Sequence, residues 1–330
     1  MFTIVGSGFG LYGYLPALVD GLGLPVLLPR SYEPKVLARP ELRGYLDAIR
    51  WAPDAEAALA AASGVVIATR PAVQRQIVAE CSRRPALGTL VLEKPLAVHP
   101  RAADEILDQL RRSGKAFRLG YTFLETDWAR SLIERKELGG PSCCLRIAWR
   151  FMAHHFAHDV ASWKRRASEG GGVVRFFGVH VVALLARLGY VEVGDSSVYG
   201  RTREELEKWE AMFSGPGLPT CVVQLDSRSV ERCFVIELES GGVSRRLVDL
   251  GDPFAMALPT GPAVTLDRRV AVLKRLLGTF RAEDASAFYQ LYSRVNWLWA
   301  KAEAVSAFCP TDLGSGRQLN EQQRVPGTLQ

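Results

Sequence analysis

The sequence predicts an α/β protein of two domains: an N-terminal doubly wound parallel sheet over residues 1–120, then a C-terminal α+β domain over 121–330 with an open, mostly antiparallel sheet. Three observations predict this. The chain has 330 residues, and single cores tend to divide beyond roughly 250–300 residues. Its first third alternates short apolar runs with helical periodicity. From about residue 121 the alternation gives way to a succession of strand-like segments.

Phe2-Thr3-Ile4-Val5 reads as a short buried strand. After a glycine-rich turn, Leu11, Leu15, Leu18, Val19 and Leu22 recur at helical spacing. Pro25-Val26-Leu27-Leu28 predicts a second strand, a helix follows over Ala55 to Ala62, and Gly64-Val65-Val66-Ile67-Ala68 and Thr89-Leu90-Val91-Leu92 predict two more strands. Short, wholly apolar runs of this kind suit a parallel sheet covered on both faces. Pro100, acids at 104 and 105, arginines at 111 and 112 and Gly114 delimit a helix over 101–113, and Ala116-Phe117-Arg118-Leu119 closes the sheet.

In the second domain Asp127 is expected to cap a helix carrying Trp128, Leu132 and Ile133, ended by Gly139-Gly140-Pro141. A strand from Cys143 to Phe151, a His- and Arg-rich stretch, the triplet Gly170-Gly171-Gly172 and a helix over 178–188 come next. Strands follow near 193–199, 220–227, 233–239 and 245–250, helix over roughly 266–306, and a loosely ordered tail after Pro310.

Composition narrows the function classes. With 48% apolar residues the chain can bury a large core. The net charge of +6 is dispersed over many arginines without a nucleic-acid-binding module, so no nucleic acid partner is expected. No apolar run approaches the ~20 residues of a membrane span, and the opening strand lacks a preceding basic region, so a cytoplasmic protein is expected. Six cysteines without a Cys-x-x-Cys pair point to reduced thiols rather than a disulfide framework or zinc site.

Gly6-Ser7-Gly8, followed by Phe9 and Gly10, stands where a strand passes into a helix. There the diphosphate of a dinucleotide meets backbone amides and the positive helix end, as in Rossmann domains. A tight structural turn also produces Gly-x-Gly, and a third glycine, due at 11, is replaced by Leu11 between Gly10 and Gly13; the placement favours nucleotide binding. No acid ends the second strand to hold ribose hydroxyls. Arg30 and Ser31 stand there instead and suit a 2′-phosphate, which slightly favours NADP over NAD; a solvated loop arginine is the other reading.

Further along, Ile67-Ala68-Thr69-Arg70-Pro71, Leu92-Glu93-Lys94-Pro95-Leu96-Ala97, Gly120-Tyr121-Thr122, Trp163-Lys164 and the glycine triplet with Gly178-Val179-His180 occur in order. With Gly6-Ser7-Gly8 and Leu15-Pro16-Ala17-Leu18, they make the chain resemble the Gfo/Idh/MocA (glucose-fructose oxidoreductase, inositol dehydrogenase, rhizopine catabolism) oxidoreductases over most of its length. Lys94 falls just past a buried strand, at the sheet edge where open α/β folds bind ligands, and a partly desolvated lysine there can exchange a proton with substrate. The resemblance implies that role for Lys94 and a proton-transferring role for His180, which by spacing alone reads as a core histidine. It also implies cofactor contacts at Ala68, Thr69, Arg70, Pro71, Glu93 and Lys94, and places Tyr121 and Thr122 on the nicotinamide side. Gln74 stands where the family often has histidine.

The family aspartate four residues before the histidine is Phe176 here, beside Arg175, and phenylalanine neither orients an imidazole nor accepts a proton. His154, His155, His158 and Asp159 form the most unusual polar cluster. His154 and His158 share metal-ligand spacing, but no glutamate follows His154, so no metal is expected and the segment reads as a substrate loop with His158 or Asp159 as replacement acid or base. Three functions stay open: an NAD(P)-dependent oxidoreductase of a small polar molecule such as a carbohydrate, cyclitol or nucleotide-sugar; an NADPH-dependent imine reductase; and a catalytically inactive dinucleotide-binding sensor or scaffold. The resemblance further implies a homo-oligomer, dimer or tetramer.

Overall fold

A computed structural model describes residues 1–135, 138–255, 266–281 and 285–311. Six short strands, β1 (Phe2–Val5), β2 (Val26–Pro29), β3 (Ile49–Ala52), β4 (Gly64–Ile67), β5 (Thr89–Leu92) and β6 (Ala116–Leu119), form an all-parallel sheet in the order β3-β2-β1-β4-β5-β6. The direction of winding reverses between β1 and β4, and the crevice beyond their carboxyl ends is where such sheets take ligands. Val5 pairs with Ile67 at that edge, and Ala68 N–H donates to Val5 O at 2.8 Å.

Helices α1 (Leu15–Leu22), α2 (Glu33–Leu37), α3 (Ala55–Ala61), α4 (Pro71–Ser82) and α5 (Pro100–Ser113) connect these strands. Local chemistry sets their ends. Asp54 accepts from Ala57 N–H at 2.8 Å, His99 accepts from Ala102 N–H at 3.2 Å, and Gly23 and Gly114 close α1 and α5 in the left-handed conformation. The sequence reading passed over β3, α2 and α4. An edge strand of Ile-Arg-Trp-Ala carries little apolar signal, and α4 exposes Gln76 and Arg75 on a weakly amphipathic surface.

After α6 (Asp127–Glu134), seven strands, β7 (Cys144–Met152), β8 (Glu192–Gly200), β9 (Leu206–Ser214), β10 (Thr220–Asp226), β11 (Arg228–Ser240), β12 (Val243–Leu250) and β13 (Ser306–Pro310), form a second sheet in the order β12-β11-β7-β10-β9-β8-β13. Pairing is parallel at β7–β10 and β8–β13 and antiparallel elsewhere, as the sequence predicts. Thr126, not Asp127, caps α6, its hydroxyl accepting from Ala129 N–H. β9 escaped notice because Glu207 occupies an inward position of its alternation, where it pairs with Arg228. The tail from 312 lies outside the described residues.

Four more α-helices occur among the described residues: α7 (His154–Ala157), α8 (Val179–Leu188), α9 (Arg269–Gly278) and α10 (Ala285–Val305). The stretch Ala167–Leu188 has the length and composition of a membrane crossing, with a mean hydropathy of 1.6, contrary to the expectation that no run approaches one. It is mostly buried: α8 lies in one core with Leu145, Ile147, Trp209 and Phe213 of the second sheet. Residues of α9 return to the first sheet, where Val270, Leu273, Leu276 and Leu277 pack with Leu11, Leu15 and Leu18.

One buried tie joins α10 to β6: Leu119 N–H donates to the Tyr292 hydroxyl at 3.1 Å. Tyr292→Phe strands that amide in the core, at a cost of about 1–3 kcal/mol. The expected result is a lower urea midpoint at unchanged m-value; an unchanged midpoint would show that the bond contributes nothing.

Candidate active site

At the end of β1 the chain turns at Gly6 with φ +120°, and a Cβ there would lie 2.2 Å from Ala68 O, so only glycine allows this approach of the two strands. Gly8 has open space where a Cβ would be. The amides of Ser7, Gly8 and Phe9 meet no acceptor among the described residues, and they precede the helical run that starts at Gly10. Gly10 takes over the close packing expected of the missing third glycine, since a Cβ there would sit 2.7 Å from Ile4 Cγ2. Thr69 Oγ1, one residue past Ala68, is buried without a partner. An open amide cradle with an orphaned hydroxyl beside it fits a dinucleotide diphosphate.

The edge of this cradle comes from α2 and the turn before it. Tyr32 Oη accepts from Gly6 N–H at 3.0 Å, and Lys35 Nζ donates to Ser7 Oγ at 2.6 Å. Arg30, by contrast, is engaged by Glu33 at 3.3 Å with its side chain 63% exposed, and Ser31 is exposed. Arg70 is exposed at the start of α4, and Pro71 is buried against the segment of the glycine triplet: a Cβ on Gly170 would meet Pro71 Cγ at 3.0 Å.

From Phe9, Tyr12 and Arg39 beside the glycine turn, one cleft of about 970 Å³ runs to Glu93, Lys94, Thr122 and His180 and on to Trp149, Phe151, Phe176 and Phe177. Glu93 directly follows β5 and is buried, with the Tyr14 hydroxyl donating to its Oε1 at 2.6 Å. Gly120 leaves room for this pair, since a Cβ there would come within 2.7 Å of Glu93 Oε1. Burial raises the Glu93 carboxyl above the usual range, against the opposing pull of Tyr14, Lys94 and Arg269. Gln74 spans the turn, donating to Glu93 O at 3.1 Å and Pro95 O at 2.7 Å.

Lys94 Nζ donates to Phe176 O at 2.6 Å and stands 3.9 Å from the Phe176 ring centre. Burial lowers its pKa to about 7, with Arg269 and Lys164 adding to the effect and Glu93 opposing it. His180 is buried, stacked on Phe123 at 4.8 Å, and its Nδ1 has no partner. Burial, then Lys94 and Arg269, push its pKa well below the ordinary histidine value, so the imidazole is neutral.

Lys94, His180, Thr122 and Glu93 thus share one cleft, as the sequence reading expects, but His158 and Asp159 are absent from its lining. Both are exposed. Asp159 pairs with Arg165 at 2.7 Å, which holds its carboxyl below the usual range. His154 and His155 face the cleft in their place, and burial with Lys164 and Arg165 lowers His155 to about 4. The His154 and His158 rings lie 4.5 Å apart, and no metal-holding group of His, Cys, Asp or Glu occurs among the described residues. Tyr121 is also displaced: its buried ring packs on Tyr292 and faces a separate cavity behind β6.

Sequence reasoning missed Tyr14, Lys35 and the pair Asp267–Arg269. Arg269 lies over the Phe9 ring at 4.0 Å and is clamped by Asp267 at 2.8 Å. Its local sequence, Asp267-Arg268-Arg269 before an apolar helix, reads as an ordinary helix start.

No protein-family model and no curated protein matches the chain. Solved structures do match, over nearly its full length. KijD10, a 3-ketoreductase from Actinomadura kijaniata in complex with NADP and TDP-benzene, is 12% identical with a TM-score of 0.68, covering 94% of this chain and 99% of its own. The WlbA dehydrogenase from Bordetella pertussis, in complex with NADH and UDP-GlcNAcA, is 15% identical at 0.68, covering 92% and 96%. A levoglucosan dehydrogenase, in complex with NADH and levoglucosan, is 12% identical at 0.65, covering 92% and 97%. The chain shares their two-sheet fold; no sequence model assigns it to the family its motifs resemble.

Through its bond to Ser7, Lys35 brings an ammonium to the middle of the glycine turn, where a 2′-phosphate would be tested. Lys35→Ala is expected to weaken NADPH binding about tenfold more than NADH binding in fluorescence titrations at fixed salt. Equal losses for both nucleotides would remove a 2′-phosphate from this edge.

Proposed function

We propose that the protein is an NAD(P)-dependent oxidoreductase that moves a hydride between nicotinamide and a small polar substrate of the carbohydrate, cyclitol or nucleotide-sugar class. The observation that carries this reading is the single cleft joining the glycine-turn side at Phe9 to Lys94 and His180. Support also comes from solved proteins of the same fold, described with NADP or NADH and with TDP-benzene, UDP-GlcNAcA or levoglucosan. When bound, the nicotinamide supplies or accepts the hydride.

The chain's own residues handle the proton and the water. Lys94, poised near neutrality, donates a proton to the substrate oxygen in reduction and removes it in oxidation. His180, neutral and with an unpartnered Nδ1, offers a second hydrogen-bonding group beside the reacting carbon. Phe176, Phe177 and Phe123 exclude water around the two, which strengthens every polar contact made there.

Phe176 favours a second reading, reduction of a C=N bond. That reaction needs one proton donor and no carboxylate partner, and position 176 supplies its backbone carbonyl to Lys94 rather than an acid.

A panel of sugars, nucleotide-sugars and cyclic imines with either nicotinamide cofactor tests these readings. Turnover of at least one member is expected, reduced about 10²–10⁴-fold in Lys94→Ala. Oxidation, which needs the free amine, should rise with pH through about 7, and reduction, which needs the ammonium, should fall over the same range. Cofactor binding without turnover across the panel would favour a sensor, and absence of cofactor binding would end the proposal.

A further inference from the structure

Lys94 is not the only amine facing Phe176. Lys164, on the short turn Trp163–Arg165, places its Nζ 5.3 Å from the same ring centre and lines the same cleft. The carboxylates that line the cleft are already engaged. Glu93 accepts from Tyr14, Asp267 clamps Arg269, and Asp252 takes Arg232 at 2.6 Å and Phe254 N–H at 2.8 Å. Among the described residues neither Lys94 nor Lys164 has a carboxylate within ion-pair distance; Lys94 has the Phe176 carbonyl and the Phe176 and Phe177 rings, and Lys164 the Phe176 ring. Arg268 and Arg269 add further positive charge to the lining.

Ammonium groups withdrawn from water without an anion are unfavourable. Burial and the nearby Arg269 already lower the proton affinity of Lys164. A ligand that brings negative charge into this space relieves the imbalance for both lysines.

We propose that the substrate carries an anionic group, a carboxylate or a phosphate, which Lys164 receives while the reacting oxygen lies on Lys94. The assignment rests on the oxidoreductase reading and narrows its substrate class by setting aside the neutral carbohydrates and cyclitols. Phe176 then serves as the spacer: both amines address one ring, which fixes the anionic group relative to the reacting carbon.

Binding of glucose, glucuronate and glucose 6-phosphate to the protein saturated with NADP⁺, measured by calorimetry, tests it. At least one charged sugar should bind about tenfold or more tightly than glucose. Lys164→Met should abolish that preference and Lys164→Arg should keep it. Carboxylate and phosphate are distinguished by which sugar carries the preference. Equal affinities for all three, including no detectable binding of any, or a preference that survives Lys164→Met, would overturn the proposal. Failure of the unmodified protein to bind either NADP⁺ or NAD⁺ would instead end the oxidoreductase reading.

Discussion

The withdrawal of the Lys94 amine from water is the constraint on which the site depends. Its position follows from a chain of steric conditions that start in the backbone. β5 ends in buried apolar residues and delivers Glu93 and Lys94 to the sheet edge; Gly120 leaves the space in which Glu93 meets Tyr14; and Gln74 pins the carbonyls on either side of the turn. A larger residue at 120 would press on the Glu93–Tyr14 pair, and Lys94 would lose the neighbour that opposes its desolvation.

The same burial sorts the site's other ionisable groups. Glu93 is pushed toward its neutral form, His180 and His155 are held neutral, and Lys94 is balanced near neutrality. Such opposing shifts within one cleft are what proton transfer at ordinary pH requires. Aromatic rings from β7 and from the turn before α8 maintain them: Trp149 stacks on Phe151 at 4.6 Å, and Phe177 lies edge-on to Phe151 at 4.8 Å.

Much of this was legible in the sequence because the parallel sheet is written in short apolar runs and its switch point in glycines. Gly6 directly follows one buried strand and Lys94 lies two residues past another, so naming the strand located the residue. β3 and β9 were harder, since an edge strand and a strand with an inward, ion-paired glutamate both break the apolar pattern that identifies strands. His158 and Asp159 fall outside the cleft lining for a different reason. The one-turn helix α7 brings His154 and His155 to the cleft, and Asp159 stays exposed while pairing with Arg165; neither fact has a local signature. Arg269 and Asp267 reach the cleft only because α9 returns to pack on α1, a contact between the two ends of the chain that no short motif encodes.

A crystal structure of the protein with NADPH tests the central claim most directly. The account predicts the diphosphate against the amides of residues 7–10 and the nicotinamide ring in the cleft beside Lys94 and His180. A nucleotide bound elsewhere, or a nicotinamide ring turned away from Lys94, would contradict it.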